Sequence, residues 1–374
     1  MKSYFYPNTM LFKTFYKICF AVMAMIYLNS CSSLKSYERS KIELELLDEY
    51  IIAKDAKFNA EPIGGLSGID YRDGYFYWVV DVPSNPRIYK TTIEFAAEKI
   101  NQINFIEAIK INTDNTDLWF DLESVLVHPN QPGFLVSSEG SIQNKKQSGI
   151  YQIDEQGKIQ KTYSLPHYID VNKGNQAHHN GVWESLCFTP DQSQFFAALE
   201  LPASRWGQKP KLYDTPALVS VLRYDLADKN YQKEYFYPLE RIRTWPLKPF
   251  AINGITAMLS FDQSRYIMLE RAYSAGRGNK ANRAILFEYK FTDLNPDQNL
   301  KQLNRKAKTH KKLILDLKKI RKSLASKRLD NLEGMCFGPT LPNGNLTLLL
   351  VADNNFNSFD EQINQVLWFE IKKH

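Results

Sequence analysis

Apolar and polar positions alternate in short runs along this chain, and one arrangement of those runs occurs five times. A short apolar run opened by Gly or an acid is followed, about sixteen residues later, by an acid that closes a second apolar run. The fixed points are Gly65 and Asp81, Glu123 and Glu139, Glu184 and Glu200, Gly254 and Glu270, and Glu333 and Asp353. Four of these spacings are sixteen, and the last is twenty because the segment PTLPNGN at 339–345 inserts extra loop. β-Branched and aromatic runs broken by turn clusters, such as Asp73-Gly74, HPNQPG at 128–133 and TPDQS at 189–193, predict strands joined by turns.

Repeats roughly 60 to 80 residues apart, each built of short strands, predict an all-β fold, a β-propeller with loop insertions, because a four-stranded blade takes about 40–50 residues. Six blades are expected, with five or seven as the alternatives. One propeller domain is expected over 41–374. The alternating run IELELL near its start suits a strand, and QVLWFEI at 365–371 is its expected partner, an arrangement that closes the ring and hides a sheet edge. Within 295–328 the leucines fit both a helix and a strand; the expected order is a strand at 312–317 followed by a helical or irregular basic insertion.

The first thirty residues stand apart from the fold. Lys13 and Lys17 precede an apolar stretch at 18–28 that is too short to span a bilayer and suits the core of a signal peptide. It ends in Leu28-Asn29-Ser30-Cys31, a pattern expected of bacterial lipoprotein processing, with Cys31 acylated and 31–40 acting as a tether. The expected location is the bacterial cell envelope, periplasmic or at the outer membrane, on a lipid anchor. Of the four cysteines this leaves Cys187 and Cys336, which hold the same place in two repeats and are expected to be buried small residues, not a disulfide.

Charge changes the picture less than its total suggests. The net charge is +6, yet residues 301–328 carry twelve Lys or Arg and one acid, so the body around them is acidic. A basic pI is therefore no argument for nucleic acid, and no nucleic-acid motif is present. The basic segment itself suits either contact with anionic lipid or a phosphorylated polymer, or a solvated loop.

In a propeller blade the first strand lines the channel and the second returns antiparallel, so both ends of the repeat meet at one mouth. That geometry gathers Glu123, Glu184 and Glu333 with Asp81, Glu139, Glu200, Glu270 and Asp353. Carboxylates so gathered repel one another unless cations neutralise them, and calcium, then magnesium, are the expected partners. Arg271, Arg277 and Arg283 after Glu270, and Arg205 with Lys209 after Glu200, suit either the forks that hold an anionic substrate or salt bridges within the rim. His178 and His179 near the mouth suit proton transfer or a plain surface loop. Neither Ser67 in GGLSG nor the Ser137-Ser138 pair makes a nucleophile elbow, which disfavours a serine hydrolase. The catalytic residue itself is not assigned.

The set Gly65-Leu66-Ser67-Gly68, Leu122-Glu123-Ser124, Asn180-Gly181-Val182-Trp183-Glu184-Ser185, Leu269-Glu270-Arg271 and Asp330-Asn331-Leu332-Glu333-Gly334 resembles the phytase-like domain family, described as "esterase-like activity of phytase". The likeness runs over nearly the whole chain after the tether. It implies a β-propeller, export from a bacterial cell and hydrolysis of phosphate or other esters. Ser67 and Thr256 depart from the pattern by standing where other repeats lead with Glu, so the ring is expected to be asymmetric. The leading expectation is a monomeric, lipid-anchored, calcium-dependent hydrolase of small anionic esters. A non-catalytic binding propeller of the envelope and a lactonase-type propeller are the alternatives.

Overall fold

A computed structural model describes residue 34 and residues 37–113, 118–174, 176–357 and 361–372. The expected signal segment and Cys31 lie outside the described residues. Those from Arg39 onward form one compact unit.

Among the described residues the short runs make twenty-two strands. Strands β1 (Glu43–Ile52), β2 (Lys57–Phe58) and β3 (Glu61–Pro62) precede the first repeat. The first blade is β4 (Leu66–Arg72), β5 (Tyr75–Val80), β6 (Arg87–Ala96) and β7 (Lys99–Lys110). The second is β8 (Leu122–Val127), β9 (Phe134–Ser138), β10 (Gly149–Ile153) and β11 (Ile159–Thr162), and the third is β12 (Trp183–Phe188), β13 (Gln194–Leu199), β14 (Leu218–Asp225) and β15 (Tyr231–Pro238). The fourth is β16 (Ala251–Ser260), β17 (Tyr266–Ser274), β18 (Asn282–Tyr289) and β19 (Lys311–Asp316). The fifth takes β20 (Asn331–Gly338), β21 (Thr347–Asp353) and β22 (Asn364–Lys372) from the end of the chain and its outer strand, β1, from the start.

The propeller thus has five blades, not the six expected, one for each repeat of the sequence. Its repeats are long because long connections such as 163–182 and 200–217 join the strands and one blade carries a helix. Closure follows the expected pairing, with Leu44 opposite Ile371 and Tyr50 opposite Val366. The expected strand of the basic segment is β19, and an irregular basic stretch follows it as expected, beginning with a 3-10 turn at Leu317–Lys319; what was not expected is helix α1 (Leu300–Lys308), which comes before the strand. Asn299 caps α1 by accepting from the Lys301 amide, and Leu303 and Ala307, four apart, put their apolar stripe inside.

Each first strand carries a β-bulge at the same place in the repeat. The register shifts across Ser67, Glu123, Glu184, Thr256 and Glu333, so the leading residue is always the extra, unpaired one. Neighbouring blades are tied at this level. Ser67 donates to the Leu122 carbonyl at 2.6 Å and Thr256 to the Leu332 carbonyl at 3.0 Å, while the Leu186 amide donates to Ser124 and the Ile255 amide to the Glu200 carbonyl. At the fifth junction the Gly65 amide donates to Asn354. The two hydroxyl-bearing leaders therefore staple blades together where the other three present acids.

The core lies between sheets and includes the fully buried Trp78, Trp183 and Trp368. Cys187 and Cys336 are free and buried, as expected, and burial pushes both thiols up. First strands approach closely at the axis: a Cβ on Gly68 would lie 2.6 Å from the Glu123 carbonyl oxygen and 2.9 Å from the Ser124 Cα. Among the described residues no helix is long and apolar enough to cross a membrane.

Candidate functional site

The residue that closes each second strand sits beside the residue two before the bulge. The Asp81 amide donates to the Gly65 carbonyl, that of Glu139 to Asp121 and that of Glu200 to Val182, and Asp353 pairs with Asn331. In the fourth blade the residue so placed is Arg271, which pairs with Gly254, whereas Glu270 pairs with Ile255. The rim therefore reads Asp81, Glu139, Glu200, Arg271, Asp353. Sequence spacing puts Glu270 in that ring, but its true register is one residue off, and in a strand one residue reverses the face.

Glu270 is accordingly buried away from the mouth. It accepts from Tyr237 at 2.7 Å, from Asn253 at 2.7 Å and from the Glu240 amide at 3.0 Å, and it forms an ion pair with the wholly buried Lys311. Arg271 turns the other way, donating to Glu333 at 2.9 Å and lying 3.9 Å from Glu200. A Cβ on Gly254 would fall 2.5 Å from the Glu200 Cγ, so glycine at that point makes room for the acid.

The mouth is a cavity of about 540 Å³ whose lining includes Asp81, Glu123, Glu139, Glu184, Glu200 and Glu333. Two carboxylate triads stand out here, and all their acids but Asp121 line the cavity. Asp81, Asp121 and Glu123 each offer an oxygen within 4.8 Å of the others, and so do Glu139, Glu184 and Glu200. The first triad bridges blades one and two, the second blades two and three. Asp121 was not among the expected ligands. Its signal was available, since it stands two before the bulged Glu123, the position that faces the rim residue in every blade.

Burial raises Asp121, Glu123, Glu139, Glu184 and Glu200, and neighbouring acids raise the first four of them further. Asp121 is pushed up to about 10 by burial and a hydrogen bond with Asp81, and Glu139 to about 8 by burial and the charge of Glu200, although the Val182 amide donates to it at 2.7 Å. Glu123 is raised well above the usual range by burial and the charge of Glu184, and Glu184 likewise by burial and the charge of Glu200. Burial also raises Glu200, against the pull of Arg271. Glu333 stands outside both triads, held by Arg271 and by Asn331 at 2.7 Å, and is raised by burial and Asp353. Asp353 is raised to about 7 by burial and Asp81.

The other expected anion forks are engaged elsewhere. Arg283 pairs with Asp316 at 2.6 Å, Arg277 donates to the Trp245 carbonyl, and Arg205 lies over the rings of Tyr168 and Trp206. Of the four, only Arg271 lines the mouth. Arg328, which was not expected, lines it too and pairs with Asp330 at 2.9 Å. His178 and His179 are not part of the lining, whereas the adjacent Asn180 is. Phe250 and Tyr273 supply an aromatic wall.

A family model described as "Phytase-like: Esterase-like activity of phytase" matches residues 61–356. No curated protein matches the sequence. Among solved structures, the chain is similar to a glutaminyl cyclase of Myxococcus xanthus at 8% identity, covering 90% of this chain and 100% of that one, with a TM-score of 0.42. It is similar to an exo-1,5-alpha-L-arabinanase from a bovine ruminal metagenomic library at 8% identity, over 85% and 100% of the two chains, with a TM-score of 0.43. A PQQ-bound aldose sugar dehydrogenase of Streptomyces coelicolor is 12% identical over 83% of this chain and 80% of that one, with a TM-score of 0.39.

Proposed function

Because the chain belongs to the phytase-like family, we propose that it is an exported, lipid-anchored hydrolase of phosphate or carboxylic esters that works at its acidic mouth with a divalent cation. The observation that carries this reading is the pair of carboxylate triads, each within 4.8 Å, opening on one cavity. The donor set is all carboxylate oxygen, which suits calcium first and magnesium second. Burial and neighbouring acids hold Asp121, Glu123, Glu139 and Glu184 up, and a divalent cation is the charge that would relieve both.

Asp81, Asp121 and Glu123, or Glu139, Glu184 and Glu200, would hold the ion. When bound, it polarises the ester oxygen and lowers the pKa of a water. Arg271, fixed between Glu200 and Glu333, presents the guanidinium that orients a small anionic ester. Glu333, outside both triads, is the mouth carboxylate placed to accept a proton from water. Phe250 and Tyr273 shield that wall from solvent. Acylation of Cys31 would keep the monomer in the cell envelope.

The pairing of Arg271 with Glu333 favours a second reading, in which the mouth binds a ligand or partner without turning it over. Hydrolysis of phosphomonoester, phosphodiester, acyl ester and lactone substrates by the purified chain, with calcium and with chelator, separates the two. Calcium-dependent turnover that Glu184→Gln lowers by at least ~100-fold is expected, a loss typical of removing a key electrostatic group. No turnover of any substrate with calcium present, together with a Glu184→Gln variant altered only in stability, rejects the catalytic reading.

A further inference from the structure

Three segments meet at the mouth end of the fourth blade. They are the stretch 241–250 leading into β16, the turn 275–281 between β17 and β18, and the return 317–328 from the outer strand. Phe250, Ala275, Gly278, Ala281 and Arg328 from these segments all line the mouth. The return segment is fixed over the blade by Arg321, which donates to the Asn282 carbonyl, and by Ser326, whose amide donates to Glu49. None of the three contains a single acid. Beside a cavity lined with carboxylates, that is a sharp reversal of sign.

Part of the positive charge is spent inside the protein. Arg243 pairs with Glu240 at 2.5 Å and Arg328 with Asp330 at 2.9 Å. Lys248, Lys280, Lys318, Lys319, Lys322 and Lys327 are exposed, and none belongs to an ion pair among the described residues. Some lysines elsewhere are paired, Lys99 with Asp48, Lys233 with Asp293 and Lys372 with Glu45, and others such as Lys54, Lys57 and Lys158 are exposed singly; here six gather on three adjoining segments. The same end of the blade carries three exposed large apolar side chains within six residues, Trp245 at 57%, Leu247 at 66% and Phe250 at 55%. They sit together against the turn, where the Leu247 amide donates to the Ala275 carbonyl and Phe250 packs on Tyr273.

We propose that this end of the fourth blade docks on an anionic phospholipid surface and presents the mouth to the headgroup layer. Unpaired lysines around an exposed Trp, Leu and Phe match an interface that is anionic outside and apolar within. A soluble phosphorylated polymer would call for the lysines but not for the apolar trio. The chain also reaches the domain at this blade, since Arg39 bridges to Leu313 and donates to the Ile314 carbonyl of β19. Cys31 lies eight residues upstream, a span of about 28 Å at full extension. Lipid would therefore be within reach if Cys31 is acylated as proposed above, and one acyl chain plus a polybasic patch is a sufficient pair of anchoring signals. An ester carried on a lipid headgroup then becomes the substrate class most readily offered to the site.

The test uses the chain from Ser32 on, which holds the whole closed ring but no acyl group, so neither anchoring nor turnover enters the readout. Co-sedimentation with phosphatidylcholine vesicles containing about 30% phosphatidylglycerol is expected to exceed that with pure phosphatidylcholine by ~10-fold or more, and to fall with salt. The triple variant Lys318→Glu, Lys319→Glu, Lys322→Glu is expected to bind the acidic vesicles ~100-fold more weakly, at about fivefold per cation. The control triple Lys54→Glu, Lys57→Glu, Lys158→Glu should bind as the parent does. Trp245→Ala with Leu247→Ala should also weaken binding, with the melting temperature of every variant checked against the parent. No vesicle binding, equal loss in both lysine triples, or binding to lipid-free polyphosphate alone would overturn the proposal.

Discussion

At the scale of the residue, adjacent charges in the fourth blade have opposite fates. Glu270 faces a buried network with Lys311, Tyr237 and Asn253, while Arg271 faces the mouth and holds Glu333. Glu270→Ala removes the carboxylate that forms an ion pair with the wholly buried Lys311 ammonium, and should cost about 3–5 kcal/mol of stability by urea unfolding while calcium affinity is unchanged. Glu184→Gln should do the reverse, lowering calcium affinity in titration calorimetry with little effect on the unfolding midpoint. Equal effects of the two substitutions on calcium binding would mean that Glu270 belongs to the mouth after all. The amino-acid pattern placed eight acids at the rim, and it erred at Glu270 because spacing in sequence does not specify strand register. Asp121 was missed although its place two before the leading Glu123 was there in the sequence, because the bulge that turns this place toward the rim is a property of the paired strands.

At the scale of the element, the bulge in each first strand decides what the repeat presents. Where the bulged residue is Glu it reaches the cavity, and where it is Ser67 or Thr256 it bonds to the neighbouring blade. Thr256→Val keeps the shape but leaves the Leu332 carbonyl without that donor, and should cost about 1 kcal/mol, read from the denaturant midpoint. Gly68→Ala is expected to cost more, about 1–3 kcal/mol, since its Cβ would lie 2.6 Å from a backbone oxygen of the next blade. A Gly68→Ala variant as stable as the parent would show that the first strands can part at the axis. The leading acids were legible as a repeat; the bulge beneath them was not, because it is a property of two paired strands.

At the scale of the whole molecule, the acidic mouth sets a pH dependence. Folded values near 8 for Glu139, near 7 for Asp353 and near 10 for Asp121 lie above the unfolded values of 4.5 for Glu and 3.8 for Asp. The native state therefore binds more protons than the unfolded state across that window, and stability falls as pH rises through it. In chelator the melting temperature should drop from pH 5 to pH 8, and calcium should raise it more at pH 8 than at pH 5; a melting temperature that rises with pH in chelator would contradict the site. The sequence by itself determined the repeat, the all-β class, the ring closed by the two ends of the chain, and a carboxylate-rich mouth, because each of these follows from periodicity and local residue type. The blade number matches the five repeats, while the place of the helix in the basic segment, the exchange of Glu270 for Arg271 at the rim and the division of the acids into triads were settled by tertiary structure alone. Each of those depends on which strand pairs with which, and at what register, and pairing is a relation between distant segments that no local pattern records.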